Sequence, residues 1–400
     1  MDKAKKQVGV GTANISENAK KYVNDVLDSG RLSYGKYLQE FEKKFSEYHG
    51  AKYGVMMNSG TDALRLSIAC LKEAHNWSQG AEIILPATTF ISDYNVIVDQ
   101  GLKPVFVDVE SNSYNIDPKQ IEKKISSNTK AIMVVHLFGQ PADMDPILEI
   151  SAKYNLKIIE DSCETMFVSY KEKKVGSFGD ISCFSTYMAH LLTSGVGGLA
   201  LTNNKEYAVI LRSLMNHGRD SIYISIDDDK GLSKEELQNV VLRRFSFVRP
   251  GYSARVTEME GALALAQFEE HDKIIDGRFE CAQYYISQLS EFENFIQLPH
   301  IQPNREHAYM MFPIVIKDEK IIKKDLVMFL EENNIETRDM LPLINQPVVI
   351  KDFGEIENEY PVSKWINNNG FYIGCHEKIS QEEREYTISI FKDFFNKLNS

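Results

Sequence analysis

Asn58-Ser59-Gly60-Thr61-Asp62-Ala63 is the first segment whose residue types could do chemistry. It follows a short apolar run and opens a helical pattern. Backbone N–H groups of Gly60 and Thr61, with the threonine hydroxyl, could cradle a phosphate at the helix start. A serine or threonine in this place is also an ordinary helix cap, so the segment alone leaves both interpretations open.

Two carboxyl residues follow a later apolar run. In Leu-Lys-Ile-Ile-Glu-Asp-Ser-Cys-Glu (156–164), Asp161 stands directly after the run and Glu164 lies within one further turn. An acid at the carboxyl edge of a parallel sheet lies where such folds bind ligands, and it can pair with a protonated ring nitrogen. Helix capping is the alternative role for Asp161.

The segment 184–198 combines Ser185, His190 and a glycine-rich end. Histidine titrates near neutral pH and is the commonest general acid or base, although a lone histidine is more often structural. Phe90 ends another apolar run, where its ring could stack on a flat cofactor or pack in the core.

The order of these features along the chain is more informative than any one of them. A phosphate-type turn, an aromatic residue, an acid and a Ser–His–Gly segment together have the layout of a pyridoxal phosphate site. Phe90 would cover one face of the ring, and Asp161 would hold the ring nitrogen. Gly60, Thr61 and Ser185 would take the phosphate, and Glu164 could reach the same pocket.

The elements that must position these residues alternate in the first half of the chain. Short Val- and Ile-rich runs are separated by amphipathic stretches, which predicts a mostly parallel sheet with helices on both faces. The runs cover residues 53–57, 82–86, 104–109, 130–138, 156–161, 181–187 and 197–202. We expect a large α/β domain over residues 1–255 and a smaller α+β domain over 256–400, beginning with one long helix over 256–292. The polar stretch 225–238 predicts an exposed excursion.

Composition restricts the function classes. The chain has 400 residues, of which 57 are acidic and 45 basic, for a net charge of −12. Such a chain gains little from phosphate counterions, so we expect no nucleic-acid partner. We also expect no membrane span, because no apolar run is long enough, and no secretion signal. The 5 cysteines are scattered; they predict neither a metal site nor disulfides, and a cytoplasmic location.

Long stretches of the sequence resemble the DegT/StrS-type sugar aminotransferases. The resemblance covers roughly residues 10–395 and rests on these segments: SGRLSYGKYLQEFEKKFSEYHGAKYGVMMNSGTDALRLSIACL, EIILPATTF, GLKPVFVDVE, HLFGQPADMDPI, IIEDSCE, VGSFGDISCFSTY, SGVGGLALT, NHGRD and GYSARVTEMEGALALAQ. It implies a fold-type-I pyridoxal phosphate (PLP) enzyme acting on a nucleotide-linked 4-keto sugar. It also implies a homodimer whose active sites are shared between subunits.

One departure from the family pattern bears on the reaction. Where the aminotransferases carry the lysine that binds the cofactor covalently, this sequence has His190. An imidazole cannot make that stable link, so the cofactor would be held without a covalent bond. The exchange resembles the branch of 4-keto-6-deoxysugar 3-dehydratases, which work with pyridoxamine phosphate. Gly218-Arg219-Asp220 is not followed by cysteine, which argues against the form with an iron–sulfur cluster and favours a likeness to GDP-4-keto-6-deoxymannose 3-dehydratase.

The resemblance also assigns further contacts. Ser253 replaces an asparagine that crosses the dimer to the phosphate, and Glu164 replaces the residue at the ring hydroxyl. Ser33, Tyr34 and Arg338 stand where relatives meet the nucleotide sugar. The implied reaction removes the C3 hydroxyl with glutamate as amino donor, with catalysis by His190 and Asp161. The alternatives are a sugar aminotransferase that works without the lysine and a non-catalytic relative.

Overall fold

A computed structural model describes residues 7–13, 15–220, 231–243 and 245–398. Its centre is a seven-stranded sheet of order β1-β9-β8-β5-β4-β2-β3. The strands are β1 (Tyr53–Met57), β2 (Glu82–Pro86), β3 (Lys103–Val107), β4 (Thr129–Val135), β5 (Lys157–Asp161), β8 (Ile181–Ser185) and β9 (Gly198–Thr202). A two-stranded hairpin of β6 (Ser169–Tyr170) and β7 (Lys173–Lys174) lies between β5 and β8 in the chain. Each run predicted in the first half forms one of the seven strands.

Helices cover both faces of this sheet. Alternate side chains of β2 show this, because Ile83 and Leu85 belong to one buried apolar cluster and Ile84 to another. The helices of this part of the chain are α1 (Glu17–Ser29), α2 (Lys36–Tyr48), α3 (Gly60–Ala74), α4 (Ile91–Asp99), α5 (Pro118–Ile121), α6 (Met144–Tyr154), α7 (Lys205–Leu214) and α8 (Lys234–Arg243). The fold class predicted from the sequence is confirmed. In the described part of the chain, no helix has the length and apolarity to cross a membrane.

The strand directions bring distant segments to one edge of the sheet. β2, β3, β4, β5 and β8 run parallel, and β9 is antiparallel to both β8 and β1. The carboxyl ends of β1, β2, β5 and β8 therefore meet the beginning of β9. This edge carries Gly60, Phe90, Asp161, Ser185 and Gly198.

A second sheet lies in the C-terminal part. Its four strands are antiparallel in the order β10-β11-β13-β12, namely β10 (Ile296–Gln297), β11 (Phe312–Ile316), β12 (Thr337–Asp339) and β13 (Gly370–Ile373). The remaining helices are α9 (Glu258–Phe268), α10 (His271–Leu289), α11 (Lys323–Glu332), α12 (Pro347–Phe353), α13 (Pro361–Asn369) and α14 (Gln381–Leu398). Phe312 and Phe371 belong to an apolar cluster of their own, whereas Leu343 and Val349 pack into the core of the large sheet. The division of the chain near residue 255 remains a proposal.

The prediction of one long helix over 256–292 is wrong. The chain leaves the helical path at Glu269 and Glu270, between α9 and α10. Helix α9 packs on α1 and α2, while α10 packs on α14. One straight helix could not serve both surfaces, so packing overrides the continuous apolar pattern. The predicted excursion over 225–238 lies partly outside the described residues, and its described end enters α8.

Candidate active site

A cavity of about 470 Å³ opens at the edge where the strand ends meet. All the residues assigned to catalysis and to the ring and phosphate within one subunit line it: Gly60, Thr61, Phe90, Asp161, Glu164, Ser185 and His190. These residues come from segments far apart in the sequence. The parallel arrangement of the strands is what brings them together.

The start of α3 forms the floor on the phosphate side. The Ser59 hydroxyl accepts the N–H of Asp62 at 3.0 Å, so Ser59 is the helix cap. The first turn beyond it, Gly60 and Thr61, lines the cavity. Helix N-terminal N–H groups without an intrahelical partner attract anions. Within this segment, Ser59 is therefore the helix cap, and Gly60 and Thr61 are the candidate phosphate site.

Gly198, at the start of β9, packs against the start of α3 on the phosphate side of the cavity. A Cβ on Gly198 would lie 2.4 Å from Gly60 N and from the carbonyl of Ser59. A Cβ on Gly60 would lie 2.8 Å from the Ser185 Cβ. No larger side chain fits at either position unless the backbone moves. The glycine-rich end of segment 184–198 therefore serves the close approach of β9 to α3.

Asp161 ends β5 with its side chain largely buried. It is 5% exposed, and its Oδ1 accepts the backbone N–H of Cys163 at 2.9 Å. That bond holds the carboxylate at the cavity wall. A second oxygen remains for a cationic ring nitrogen, which is the partner that a buried carboxylate requires.

Glu164 lies in the same cavity wall, and its carboxyl group has a raised pKa. Its carboxylate oxygen accepts the N–H of Phe138 at 2.9 Å. Burial raises the pKa of Glu164 to about 8, the charge of Asp161 adds to the rise, and the Phe138 bond opposes it. At neutral pH Glu164 is therefore mainly a neutral acid that can donate a hydrogen bond.

His190 lies in the loop between β8 and β9. That loop is closed by the Thr186–Ser194 hydroxyl pair at 2.6 Å and by a bridge between Tyr187 and Gly195. The Nδ1 of His190 is buried and has no hydrogen-bond partner among the described residues. Burial lowers the pKa of His190 to about 4, so the imidazole is neutral at pH 7 and can accept a proton.

Phe90 and Ser185 complete the predicted set. Phe90 is the cap residue of α4, and the residue is 55% exposed although it lines the cavity. An exposed ring at a cavity wall is available to stack on a flat ligand. Ser185 ends β8, and its hydroxyl accepts the N–H of Tyr187 at 3.3 Å. This bond leaves the hydroxyl hydrogen free to donate.

The structure does not bring every predicted residue to this cavity. Tyr34 donates its hydroxyl to Glu42 at 2.8 Å in a separate cleft. Arg338 lies beside Tyr372, its partner across β12 and β13, but pairs with Glu336. Neither side chain lines the cavity.

Ser33 and Ser253 are exposed and also lie outside the cavity. Ser33 forms a bridge with Thr257, and the Ser253 hydroxyl accepts from Arg255 at 3.3 Å. A residue that reaches the site of a second subunit would be exposed in this way. The roles of Ser33, Tyr34, Arg338 and Ser253 remain proposals.

Sequence reasoning missed an apolar wall. Val10, Met310, Met311, Leu341 and Tyr372 line the cavity from the N-terminal segment and the second sheet. Met310 and Met311 directly precede β11, Leu341 follows β12 and Tyr372 lies within β13, and these positions are the available signal. Methionine and leucine beside a strand ordinarily indicate core packing, so the residue types gave no hint of a binding role.

The cavity residues fit pyridoxal phosphate. The helix start and Ser185 suit its phosphate, Phe90 suits its ring, and Asp161 suits its ring nitrogen. The His190 side chain lines the same cavity, where a bound group would meet the imidazole. Lysine is absent from the cavity lining, all of which lies in the described part of the chain.

Comparison with protein families agrees with this geometry. The model of the DegT/DnrJ/EryC1/StrS aminotransferase family matches residues 13–392. The chain belongs to this family. It is therefore an enzyme of a PLP-binding family of sugar aminotransferases and related dehydratases, and the resemblance drawn from the sequence is confirmed.

Relatives of this family member carry out two different reactions. GDP-perosamine synthase of Caulobacter vibrioides is 32% identical over 386 residues, covering 96% of this chain and 97% of that protein. GDP-4-keto-6-deoxy-D-mannose 3-dehydratase of Escherichia coli O55:H7 is 30% identical over 378 residues, covering 93% and 96%. A solved structure of the E. coli dehydratase with bound hydrated PLP has a TM-score of 0.86 and 28% identity, covering 96% of this chain and 98% of that one.

Proposed function

We propose that this family member is a 3-dehydratase of a nucleotide-linked 4-keto-6-deoxy sugar, with GDP-4-keto-6-deoxymannose or a heptose analogue as substrate. The product is the 4-keto-3,6-dideoxy sugar. The observation that carries the proposal is His190, a neutral imidazole that lines a cavity whose lining contains no lysine. Without a lysine, covalent attachment of the cofactor is replaced by binding alone.

The cofactor is proposed to be pyridoxal phosphate or pyridoxamine phosphate, held without a covalent bond and without an iron–sulfur cluster. When bound, it supplies an amine for the substrate ketone and a ring that takes up electrons. The E. coli dehydratase structure with hydrated PLP supports non-covalent binding by a relative. In this chain, Asp161 keeps the ring nitrogen protonated, and Glu164 donates to the ring hydroxyl.

His190 is assigned the proton transfers. With its pKa lowered to about 4, it is the free base at neutral pH and can remove a proton beside the ring. The imidazolium that results can protonate the departing C3 hydroxyl, so one side chain serves as base and then as acid. General acid–base help of this kind is worth roughly 10²–10⁴-fold in rate.

Glutamate is proposed as the amino donor, which balances the reaction. Glutamate loses two electrons and its amino group and becomes 2-oxoglutarate. The sugar loses its C3 hydroxyl oxygen and gains hydrogen, and the nitrogen leaves as ammonia. No other oxidant or reductant is needed.

We also propose that two copies share each site. The cavity lining contains Asp161 and Glu164 and neither lysine nor arginine, although the substrate and cofactor bring several negative charges. Exposed Arg255 beside Ser253 is a cationic group that a second copy could contribute. Mixing inactive His190→Asn and Arg255→Ala chains should then restore activity, because one site of the mixed dimer is intact. Activity that stays absent in mixed dimers would contradict the shared site.

A nucleotide-sugar aminotransferase is the second candidate. The specific observation in its favour is the 32% identity to GDP-perosamine synthase, which matches as much of this chain as the dehydratase does. The two reactions differ in whether the sugar loses an oxygen or gains an amine.

The variant His190→Lys tests the assignment. A lysine there should recapture the cofactor covalently and divert turnover toward an amino sugar. His190→Asn is the matched control, since it lacks both the amine and the base and should lose both activities. If His190→Lys still dehydrates and yields no amino sugar, the role given to His190 is wrong.

A further inference from the structure

Asp93 is a carboxyl group buried behind the cavity wall. It lies in the first turn of α4, three residues after Phe90, and it is 0% exposed. The Thr89 hydroxyl donates to its Oδ2 at 2.5 Å. Its Oδ1 is buried without a donor among the described residues. Burying a carboxyl oxygen without a hydrogen-bond partner costs free energy, unless the carboxyl group is protonated and donates a hydrogen bond itself.

Besides Thr89, the side chain of Asp161 lies within hydrogen-bonding reach of Asp93. Two ionised carboxylates are both acceptors, and neither can donate to the other. Two buried carboxylates in contact repel each other, so they do not both stay ionised. Such a pair keeps one proton between its two carboxyl groups. One shared proton turns this acceptor–acceptor contact into a donor–acceptor bond.

The surroundings favour placing that proton on Asp93. Asp161 already takes a backbone N–H from Cys163 at 2.9 Å and borders the cavity, whereas Asp93 is fully enclosed. Burial raises the pKa of Asp93 well above its ordinary value, and the charges of Asp161 and Glu164 raise it further, against the Thr89 bond. The thiols of Cys163 and Cys183 also face this pair, and burial raises the pKa of both, so they stay neutral.

We propose that Asp93 is a positioning residue that acts through Asp161: a neutral acid whose proton bonds to the Asp161 carboxylate, keeps it ionised and aims its free oxygen at the cofactor ring nitrogen. The pair then carries one negative charge, which matches one pyridinium charge. This inference rests on the proposed cofactor site, but not on the sugar substrate or on the direction of the reaction.

Infrared spectroscopy of the purified protein at pH 7 tests the proton directly. A protonated carboxyl group absorbs in a region separate from carboxylates. Asp93→Asn should remove one component of that signal, while a second component from Glu164 remains. Asp99→Asn is the control, because Asp99 lies at the end of the same helix, is 49% exposed and is ion-paired with Arg65. The proposal is overturned if the signal is unchanged in Asp93→Asn or is lost equally in Asp99→Asn.

Cofactor binding gives the second readout. Asparagine can still donate a hydrogen bond to Asp161, so Asp93→Asn should bind PLP within about twofold of the parent. Asp93→Val cannot donate and should bind roughly tenfold more weakly. Equal losses of affinity in both variants would contradict the proposal. If Asp93→Val does not fold, the infrared comparison decides alone, and that comparison is unaffected if the dehydratase proposal fails.

Discussion

Asp161 Oδ1 accepts the backbone N–H of Cys163 at 2.9 Å, which holds the carboxylate at the end of β5 and against the cavity. The bond joins residues that are two apart in the sequence, but it positions a carboxylate that lines the cavity. It points one oxygen toward the backbone and leaves the other oxygen of the carboxylate for a ligand. A ring nitrogen held there would stay protonated, and the cationic ring would then be able to take up electrons.

Replacing Asp161 by asparagine should remove that effect. We expect Asp161→Asn to lower kcat by about 10²–10³-fold, a loss typical of removing one preorganised electrostatic group. Steady-state turnover of the nucleotide sugar measures it. Asp325→Asn, at an exposed aspartate of α11, should be unchanged. A kcat within threefold of the parent would show that Asp161 does not serve the ring nitrogen.

The ionisation of Glu164 predicts how the reaction rate changes at alkaline pH. Its pKa is raised to about 8, so it is mainly neutral at pH 7 and ionises as the pH rises through 8. The new charge beside Asp161 should then lower the rate above pH 8. Glu164→Gln cannot ionise, so its rate at pH 7 should be near that of the parent and its fall above pH 8 should disappear.

The profile of kcat/KM against pH measures this change. Glu332→Gln, at the exposed end of α11, is the control and should retain the alkaline fall. A Glu164→Gln variant that keeps the fall, or that is inactive at pH 7, would assign the limb to another group.

The close packing around Gly198 predicts that a side chain at this position would disturb the phosphate side of the cavity. A methyl group there would lie 2.4 Å from Gly60 N, so Gly198→Ala must push β9 and α3 apart. We expect the free energy of unfolding to fall by about 1–3 kcal/mol and PLP binding to weaken. Urea unfolding and cofactor titration measure the two effects.

Gly9→Ala is the matched control for this change. A Cβ on Gly9 would meet its nearest atom at 3.4 Å, at the flexible end of Glu336, and should be tolerated. If both alanine variants bind PLP equally well, the close approach of β9 to α3 does not shape the phosphate floor.

Several parts of the fold and site could be predicted from sequence, and they share a local cause. Asp161 and Ser185 stand at the ends of short apolar runs, and a run of that length ends at a sheet edge. Gly60 precedes a helical pattern, and His190 precedes a glycine-rich stretch. The positions of these residues could be predicted because residue type and strand end coincide in the chain.

Other parts depend on contacts that no local pattern encodes. Met310 and Leu341 reach the cavity from the second sheet, whose placement depends on packing across the molecule. Asp93 looks like an ordinary acid in a first helical turn, and only the fold places it against Asp161. The break at Glu269 likewise follows from the two different surfaces that α9 and α10 cover.

Buried His49 predicts how stability depends on acid. It is 0% exposed, neither ring nitrogen has a partner among the described residues, and burial lowers its pKa to about 3. The folded state keeps it neutral, while the unfolded state binds a proton below its ordinary pKa. Its contribution to stability is therefore complete above about pH 6.5 and is lost as the pH falls toward 3.

His49→Phe should reduce that acid sensitivity. Phenylalanine keeps the aromatic contact with Phe45 and cannot bind a proton. The loss of unfolding free energy between pH 7 and pH 5 should be smaller by about 2 kcal/mol than in the parent. Urea unfolding at the two pH values measures it, with exposed His300→Gln as the control. An unchanged difference would mean that His49 is not kept neutral by the fold.

The mass of the sugar nucleotide after turnover tests the dehydratase assignment most directly. The purified protein would be incubated with pyridoxal phosphate, glutamate and GDP-4-keto-6-deoxymannose. With His190 in place of a cofactor-binding lysine, the predicted product is lighter by one oxygen atom, and ammonia appears with it. A product in which the keto oxygen is replaced by an amino group would contradict the dehydratase assignment and make the protein an aminotransferase.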